Sequence, residues 1–305
     1  MVPTPLVGGL AIVPPLLLVL LVQAFGNPPG DATRNALLGL GVATLFAFLV
    51  GLADDRTPLP AMKRFAICGL FFSVALGICP SFVVSDLVIQ SVGLRIHLGI
   101  GAIFFSVLCL LALENGLNMV DGRNGLAIGL SLIWLGALLS FGAHPSNLPV
   151  MLLMVSLVVI LLPNWRGKLF LGDAGSYAIG AFLGFLTIWI HRSNIGLHTA
   201  DVLTLYIVPI LDMLRLCVTR VWARRSPCAA DQNHLHHHLD RALGWPRGCW
   251  VYFAIIGLPI LAMRTGLLGG LYATAAAGSL YLITLLLATR FKVDRVAVAT
   301  SQAAA

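Results

Sequence analysis

Apolar stretches of span length alternate with short polar islands along the whole chain. A helix that crosses a bilayer needs about 20 predominantly apolar residues. On that scale the pattern predicts ten spans, at about 7–25, 35–52, 65–80, 97–113, 124–142, 148–163, 174–190, 202–219, 250–264 and 267–289. Proline and glycine within them (Pro14, Pro15, Pro209, Pro259, Gly269, Gly270) are compatible with packed membrane helices, whose neighbours re-satisfy the freed backbone groups. No soluble domain, linker, low-complexity tract or repeat interrupts the alternation. The expectation is one all-α, polytopic membrane domain over residues 1–305. The first apolar run is not preceded by a basic region, so no cleavable signal peptide is expected.

Composition agrees, with 59% hydrophobic and 10% charged residues against about 25% charged in soluble domains. The net charge of +7 is not gathered into a basic stripe with interleaved aromatics, so no nucleic-acid partner is expected. In a membrane protein the excess reports topology instead. With ten spans, one side carries Arg56, Lys63, Arg64, Arg123, Arg166, Lys168, Arg220, Arg224, Arg225, Arg241, Arg247, Arg290, Lys292 and Arg295, and the other Arg34, Arg95, Arg192 and Arg264. The first side is therefore expected to be cytoplasmic. The six cysteines are scattered without ligand-like spacing, which suits structural thiols.

Four polar islands fall on that expected cytoplasmic side: 51–64 (GLADDRTPLPAMKR), 114–126 (ENGLNMVDGRNGL), 164–176 (NWRGKLFLGDAGS) and 224–246 (RRSPCAADQNHLHHHLDRALGWP). Adjacent Asp54 and Asp55 repel one another unless a cation resolves the conflict. They suit either an interfacial cap or, with Arg64 nearby, a phosphate-handling site. Asn115, Asn118 and Asp121 lie about one turn apart and would share a face of a helix. Such hard oxygen donors suit Mg²⁺, which is commonly held by few protein ligands plus substrate phosphates. Asp173 opens the seventh span among small residues, either as a cap or as a second Mg²⁺ ligand. His234, His236, His237 and His238 lack the partners of a tetrahedral zinc site and suit phosphate or sugar oxygens, or a solvated loop. Asp212 and Arg215 form an i,i+3 pair within the eighth span, read as structural support. His97, His144, His191 and His198 are expected to be incidental.

In this order, the islands resemble those of the polyprenyl-phosphate N-acetylhexosamine-1-phosphate transferase family, whose cousins include the phospho-MurNAc-pentapeptide translocase. The resemblance runs from VPTPLVGGLAI (2–12) to about residue 246 through GLADDR, NGLNMVDGRNGLA, FLGDAGS, PILDMLR (209–215) and DQNHLHHHL. It implies transfer of a sugar 1-phosphate from a UDP-sugar to undecaprenyl phosphate with release of UMP, as the first lipid-linked step of a cell-surface polysaccharide. It implies Mg²⁺ (or Mn²⁺) on Asn118 and Asp173, with Asp54 and Asp55 near the acceptor phosphate and Asp54 as the favoured base in a direct attack, the alternative being a covalent aspartyl-phosphate intermediate. Arg64, helped by Lys63, would hold phosphate. Asn124 with Asp121 would lie near the nucleoside, Asn115 would line the substrate site, and His234, His236 and His237 would serve the sugar phosphate. The implied setting is the bacterial inner membrane, with the site facing the cytoplasm and a homodimer among the allowed assemblies. The chain departs from the family at Leu6, Asn124 and Gln232. Its first element is preceded in the family by one more spanning helix, so a misassigned start or a truncated enzyme is expected. The competing expectations are a phospho-MurNAc-pentapeptide translocase-like enzyme and a non-catalytic membrane carrier or scaffold.

Overall fold

The computed structural model describes residues 6–142, 144–193, 195–226 and 232–303, with side chains described as far as residue 290. Residues 2–5 of the first resembling element and Asp231 of the His-rich island lie outside them. The described chain is helical apart from one short hairpin and a few 3₁₀ turns: α1 (Gly8–Phe25), α2 (Ala32–Arg56), α3 (Ala61–Ile78), β1 (Asp86–Ile89), β2 (Leu94–His97), α4 (Ala102–Val120), α5 (Leu126–Leu139), α6 (Asn147–Trp165), α7 (Gly172–Arg192), α8 (Thr199–Trp222), α9 (Leu235–Leu243), α10 (Arg247–Arg264) and α11 (Gly270–Ala303). Among the described residues nine helices are long and apolar enough to cross a membrane. Large apolar side chains such as Leu70, Phe104 and Val159 lie exposed on their flanks, as a lipid-facing surface requires.

Two features differ from the sequence expectation. The fourth apolar stretch does not become helix until Ala102, because residues 86–97 form an antiparallel hairpin with Asp86 opposite His97. His97 is thus not incidental: its Nδ1 lies 3.0 Å from Asp86 Oδ1, and with the neighbouring Ser85 contact it holds that carboxyl below its ordinary range. The fifth stretch yields only the 14-residue α5, about 21 Å of helix against a hydrocarbon core of roughly 30 Å. It nevertheless runs the length of its bundle. Gly125, just before it, is bonded to Asn164 in the last turn of α6, while His144, just after it, is bonded to Ser193 at the end of α7.

The chain divides into two compact units, residues 1–202 and 203–305. In the first, α7 is the central helix, and every residue from Ala174 to Ile190 is buried. A helix that is apolar all round can be stable in this way only when neighbours enclose it, and α1, α2, α4 and α5 do so. Small residues set the spacing. A methyl group on Gly51 of α2 would strike the Asp173 carbonyl, and one on Gly9 of α1 would strike the Gly175 backbone. Such contacts let membrane helices approach closely. The loop entering α7 is fixed by Gly8 N–H and Gly9 N–H, which donate to the carbonyls of Phe170 and Leu171 at 3.0 Å. In the second unit, α9 and α10 pack together and against α11.

Candidate active site

The close approach of α2 to the start of α7 places the last turn of α2 beside the N–H groups that α7 leaves unpaired. The N-cap residue, Leu171, has no side chain able to satisfy them. Asp55 does so from another helix: its Oδ1 accepts from Asp173 N–H at 2.8 Å and its Oδ2 from Ala174 N–H at 3.0 Å. Gly172 makes the approach possible, since it sits at φ +73° and a side chain there would meet the Asp55 carboxylate. Asp54 faces elsewhere. Its Oδ1 accepts from Leu59 N–H at 2.6 Å, and its Oδ2 accepts from Arg64 Nη1 at 2.6 Å and from the Tyr177 hydroxyl at 2.9 Å. The repulsion expected between adjacent carboxylates is thus relieved by separate sets of donors, with Asp54 buried against a partly exposed Arg64. Lys63 is exposed beside this cluster, and among the described residues no hydrogen bond from its side chain joins it.

From α4, Asn118 Nδ2 donates to Asp173 Oδ1 at 2.6 Å and to Ser176 Oγ at 3.0 Å. Asn115, one turn earlier, instead donates to the Leu111 carbonyl of its own helix at 2.9 Å. Asp121 follows the last turn of α4. Burial, and then the carboxylates of Asp173 and Asp55, push its pKa well above the ordinary range, which places the three acids within electrostatic reach of one another. The next turn is held by Asn164, which accepts from Gly125 N–H at 2.6 Å and donates to the Leu169 carbonyl at 2.9 Å. Asn124 packs at Gly167 in the same junction. Three of the four islands therefore meet at one end of the first unit. No motif in the sequence singles out Tyr177 or Asn164, although Tyr177 lies one turn after Asp173 on the same helix face and Asn164 opens the third island.

This donor set has an excess of negative charge, with Asp54, Asp55, Asp121 and Asp173 near Arg64. Among the described residues no three His, Cys, Asp or Glu side chains are grouped as a metal site. A closed protein cage does not fit. A hard cation held by one or two carboxylates and an amide, with substrate phosphates completing its shell, does.

The second unit carries the imidazoles. Asp212 of α8 is buried and accepts from Arg215 Nη2 at 2.9 Å, from the Tyr281 hydroxyl at 3.0 Å, from His234 Nδ1 at 2.9 Å and from Leu235 N–H at 3.2 Å. It caps α9 much as Asp55 caps α7. His236 stacks on His234 with centroids 5.6 Å apart, and His237 lies 4.2 Å from His236. His238 has its pKa lowered by burial and then by Arg241 and Arg215.

The profile described as Glycosyl transferase family 4 matches residues 37–191. A decaprenyl-phosphate N-acetylglucosaminephosphotransferase of Mycolicibacterium smegmatis is 30% identical over 268 residues, covering 78% of this chain and 65% of that protein. A probable undecaprenyl-phosphate N-acetylglucosaminyl 1-phosphate transferase of Bacillus subtilis is 28% identical over 248 residues, covering 77% and 65%. The undecaprenyl-phosphate alpha-N-acetylglucosaminyl 1-phosphate transferase of Escherichia coli K12 is 28% identical over 260 residues, covering 78% and 65%. The chain thus spans about two thirds of the length of these relatives.

Proposed function

Because the chain belongs to glycosyl transferase family 4, we propose that it transfers an N-acetylhexosamine 1-phosphate from a UDP-sugar to a polyprenyl phosphate such as undecaprenyl phosphate. An oxygen of the acceptor phosphate attacks the sugar-bearing phosphorus of the donor. The bond to the bridging oxygen breaks, and UMP leaves with the electron pair. The observation that carries this reading is the meeting of Asp54, Asp55, Asn118 and Asp173, from three separate islands, beside Arg64.

Each residue has a role that its surroundings suit. Arg64, fixed by Asp54 and lying over the Tyr177 ring at 5.7 Å, offers a guanidinium to a phosphate. Asp54, an acceptor on a rigid helix end, takes the proton of the acceptor phosphate. Asp55 holds the start of α7, and so Asp173, in place. Asn118 and Asp173 are the residues proposed to hold Mg²⁺, which when bound would neutralise charge developing on the diphosphate. Asp121, with Asn124, is assigned to the nucleoside side, and the buried imidazoles of His234 and His236, with His237, to the donor phosphates. Asn115, bonded to its own helix, has the weakest claim to a substrate contact. We place the site end at the cytoplasmic face of a bacterial inner membrane. In the first unit Arg56, Lys63, Arg64, Arg123, Arg166 and Lys168 lie at that end, against Arg34, Arg95 and Arg192 at the other.

The test is radiolabelled UDP-N-acetylglucosamine with membranes containing the protein and added undecaprenyl phosphate. The expected result is Mg²⁺-dependent label in lipid with stoichiometric UMP, abolished by Asp173→Asn in protein that still inserts. Unchanged turnover by that variant would refute the role of Asp173, and no label with any UDP-N-acetylsugar would refute the activity.

A further inference from the structure

Asp212 is more thoroughly bonded than an ordinary membrane ion pair requires. A carboxylate offers about four acceptor positions, and here Arg215, Tyr281, His234 and the Leu235 N–H fill them. Arg215 alone would supply the countercharge. Its guanidinium is itself fixed, with Nε donating to the Tyr281 hydroxyl at 3.0 Å and Nη2 to the Asn233 carbonyl at 2.5 Å. The carboxylate can neither rotate nor readily take up a proton without losing a partner. What remains is a rigid acceptor aimed at one nitrogen of one imidazole. His234 is buried at the entrance to α9, and its plane is set by the nearly parallel ring of His236, tilted by 8°.

We propose that Asp212 is a positioning residue for His234, holding the ring with its proton on Nδ1 so that Nε2 is the nitrogen offered to the donor phosphates. A carboxylate only accepts hydrogen bonds, so the ring nitrogen facing it must carry a hydrogen, and the neutral ring is left with its lone pair on Nε2. When that nitrogen gains a proton, Asp212 stabilises the imidazolium, and an N–H is presented to a phosphate oxygen. Asp212 therefore orients and supports the ring without exchanging a proton, the division of labour known for buried carboxylates behind working histidines. The same carboxylate caps α9, so the helix that carries His236 and His237 starts from the atom that fixes His234.

This rests on the transfer reaction proposed above, and the experiment separates the two. The kinetics of UMP release are measured for the full chain in detergent with UDP-N-acetylglucosamine and undecaprenyl phosphate. Asp212→Asn is expected to lower kcat by at least about 10–100-fold, the loss seen when the carboxylate behind a metal-bound histidine is removed, with little change in KM. Asp212→Glu should restore part of the loss. In a His234→Ala background, Asp212→Asn should cost markedly less than it does alone, the remainder coming from the α9 cap and the Arg215 pair that the same carboxylate holds. A second pair leaves Asp212 in place: His234→Gln puts its amide near the Nε2 position and should retain more activity than His234→Asn, whose amide replaces only Nδ1. Multiplicative effects in the double variant, or His234→Asn outperforming His234→Gln, would overturn the proposal while leaving the transferase activity standing. A wild-type protein that transfers nothing would defeat the activity, and this proposal with it.

Discussion

Replacing Asp55 with asparagine separates a structural from a chemical role for the second acid of the pair. Both Asp55 oxygens accept from the first turn of α7, at 2.8 and 3.0 Å. Asparagine keeps one acceptor but turns an N–H₂ group toward the other backbone N–H. That donor is then left unsatisfied at a partly buried helix end, which costs about 1–3 kcal/mol. Loss of the negative charge at the helix N-terminus adds about 0.3–1 kcal/mol. The sum is roughly 1–4 kcal/mol, and for a unit of about 200 residues each kcal/mol lowers Tm by about 2–4 °C. Thermal unfolding of the detergent-purified protein should therefore shift down by about 3–16 °C. Turnover should fall at least about 100-fold, because Asp173 rides on the turn that Asp55 holds and small misplacements at a reacting centre are amplified in rate. A variant with wild-type Tm and no turnover would show that Asp55 acts on substrate directly, and the capping account would be wrong.

Three further substitutions probe the fold around the site and at its far end. Gly125 sits at φ +82° against the Trp165 ring. Gly125→Ala should destabilise by about 1–2 kcal/mol from the left-handed backbone alone and by more from displacing Trp165, whereas Gly136→Ala, where a methyl would meet only Met154 at 3.8 Å, should leave Tm unchanged or slightly raised; equal shifts in the two variants would exclude the proposed strain. His144 has its pKa lowered to about 4 by burial, and its Nδ1 accepts from Ser146 N–H at 3.2 Å, consistent with a neutral ring. Its contribution to stability is then present above the unfolded value of about 6.5 and lost as pH falls through about 4. Screening of this half-buried ring limits the effect to about 1–2 kcal/mol, and His144→Asn should flatten the fall in Tm between pH 7 and pH 4. A variant with the wild-type slope would assign that acid sensitivity to other groups.

The parts of this molecule that could be read in advance are those for which a local pattern is sufficient. Span-length apolar runs specify membrane helices whatever packs against them, and the polar islands stand out because a bilayer tolerates so few charges. Partnerships were less visible, because they depend on which helix meets which. Nothing in the adjacency of Asp54 and Asp55 distinguishes the carboxylate that binds Arg64 from the one that caps a helix more than 100 residues away. That division follows from Gly51 and Gly172 letting α2 reach the first turn of α7. Asn115 illustrates the opposite failure: its spacing from Asn118 is right for a shared helix face, yet its side chain bonds back to its own helix. The hairpin at 86–97 is not legible because its two strands are only four residues each, too short for a period-2 pattern to stand out from a connecting loop. The acids at the ends of α2 and within α8 do the same thing: each satisfies the N-terminus of another helix, α7 or α9, that carries residues proposed for the chemistry. Caps supplied in this way couple helix placement to site geometry. They explain why so few polar residues suffice here, since one carboxylate closes a helix end and fixes the neighbouring Asp173 or His234 at the same time.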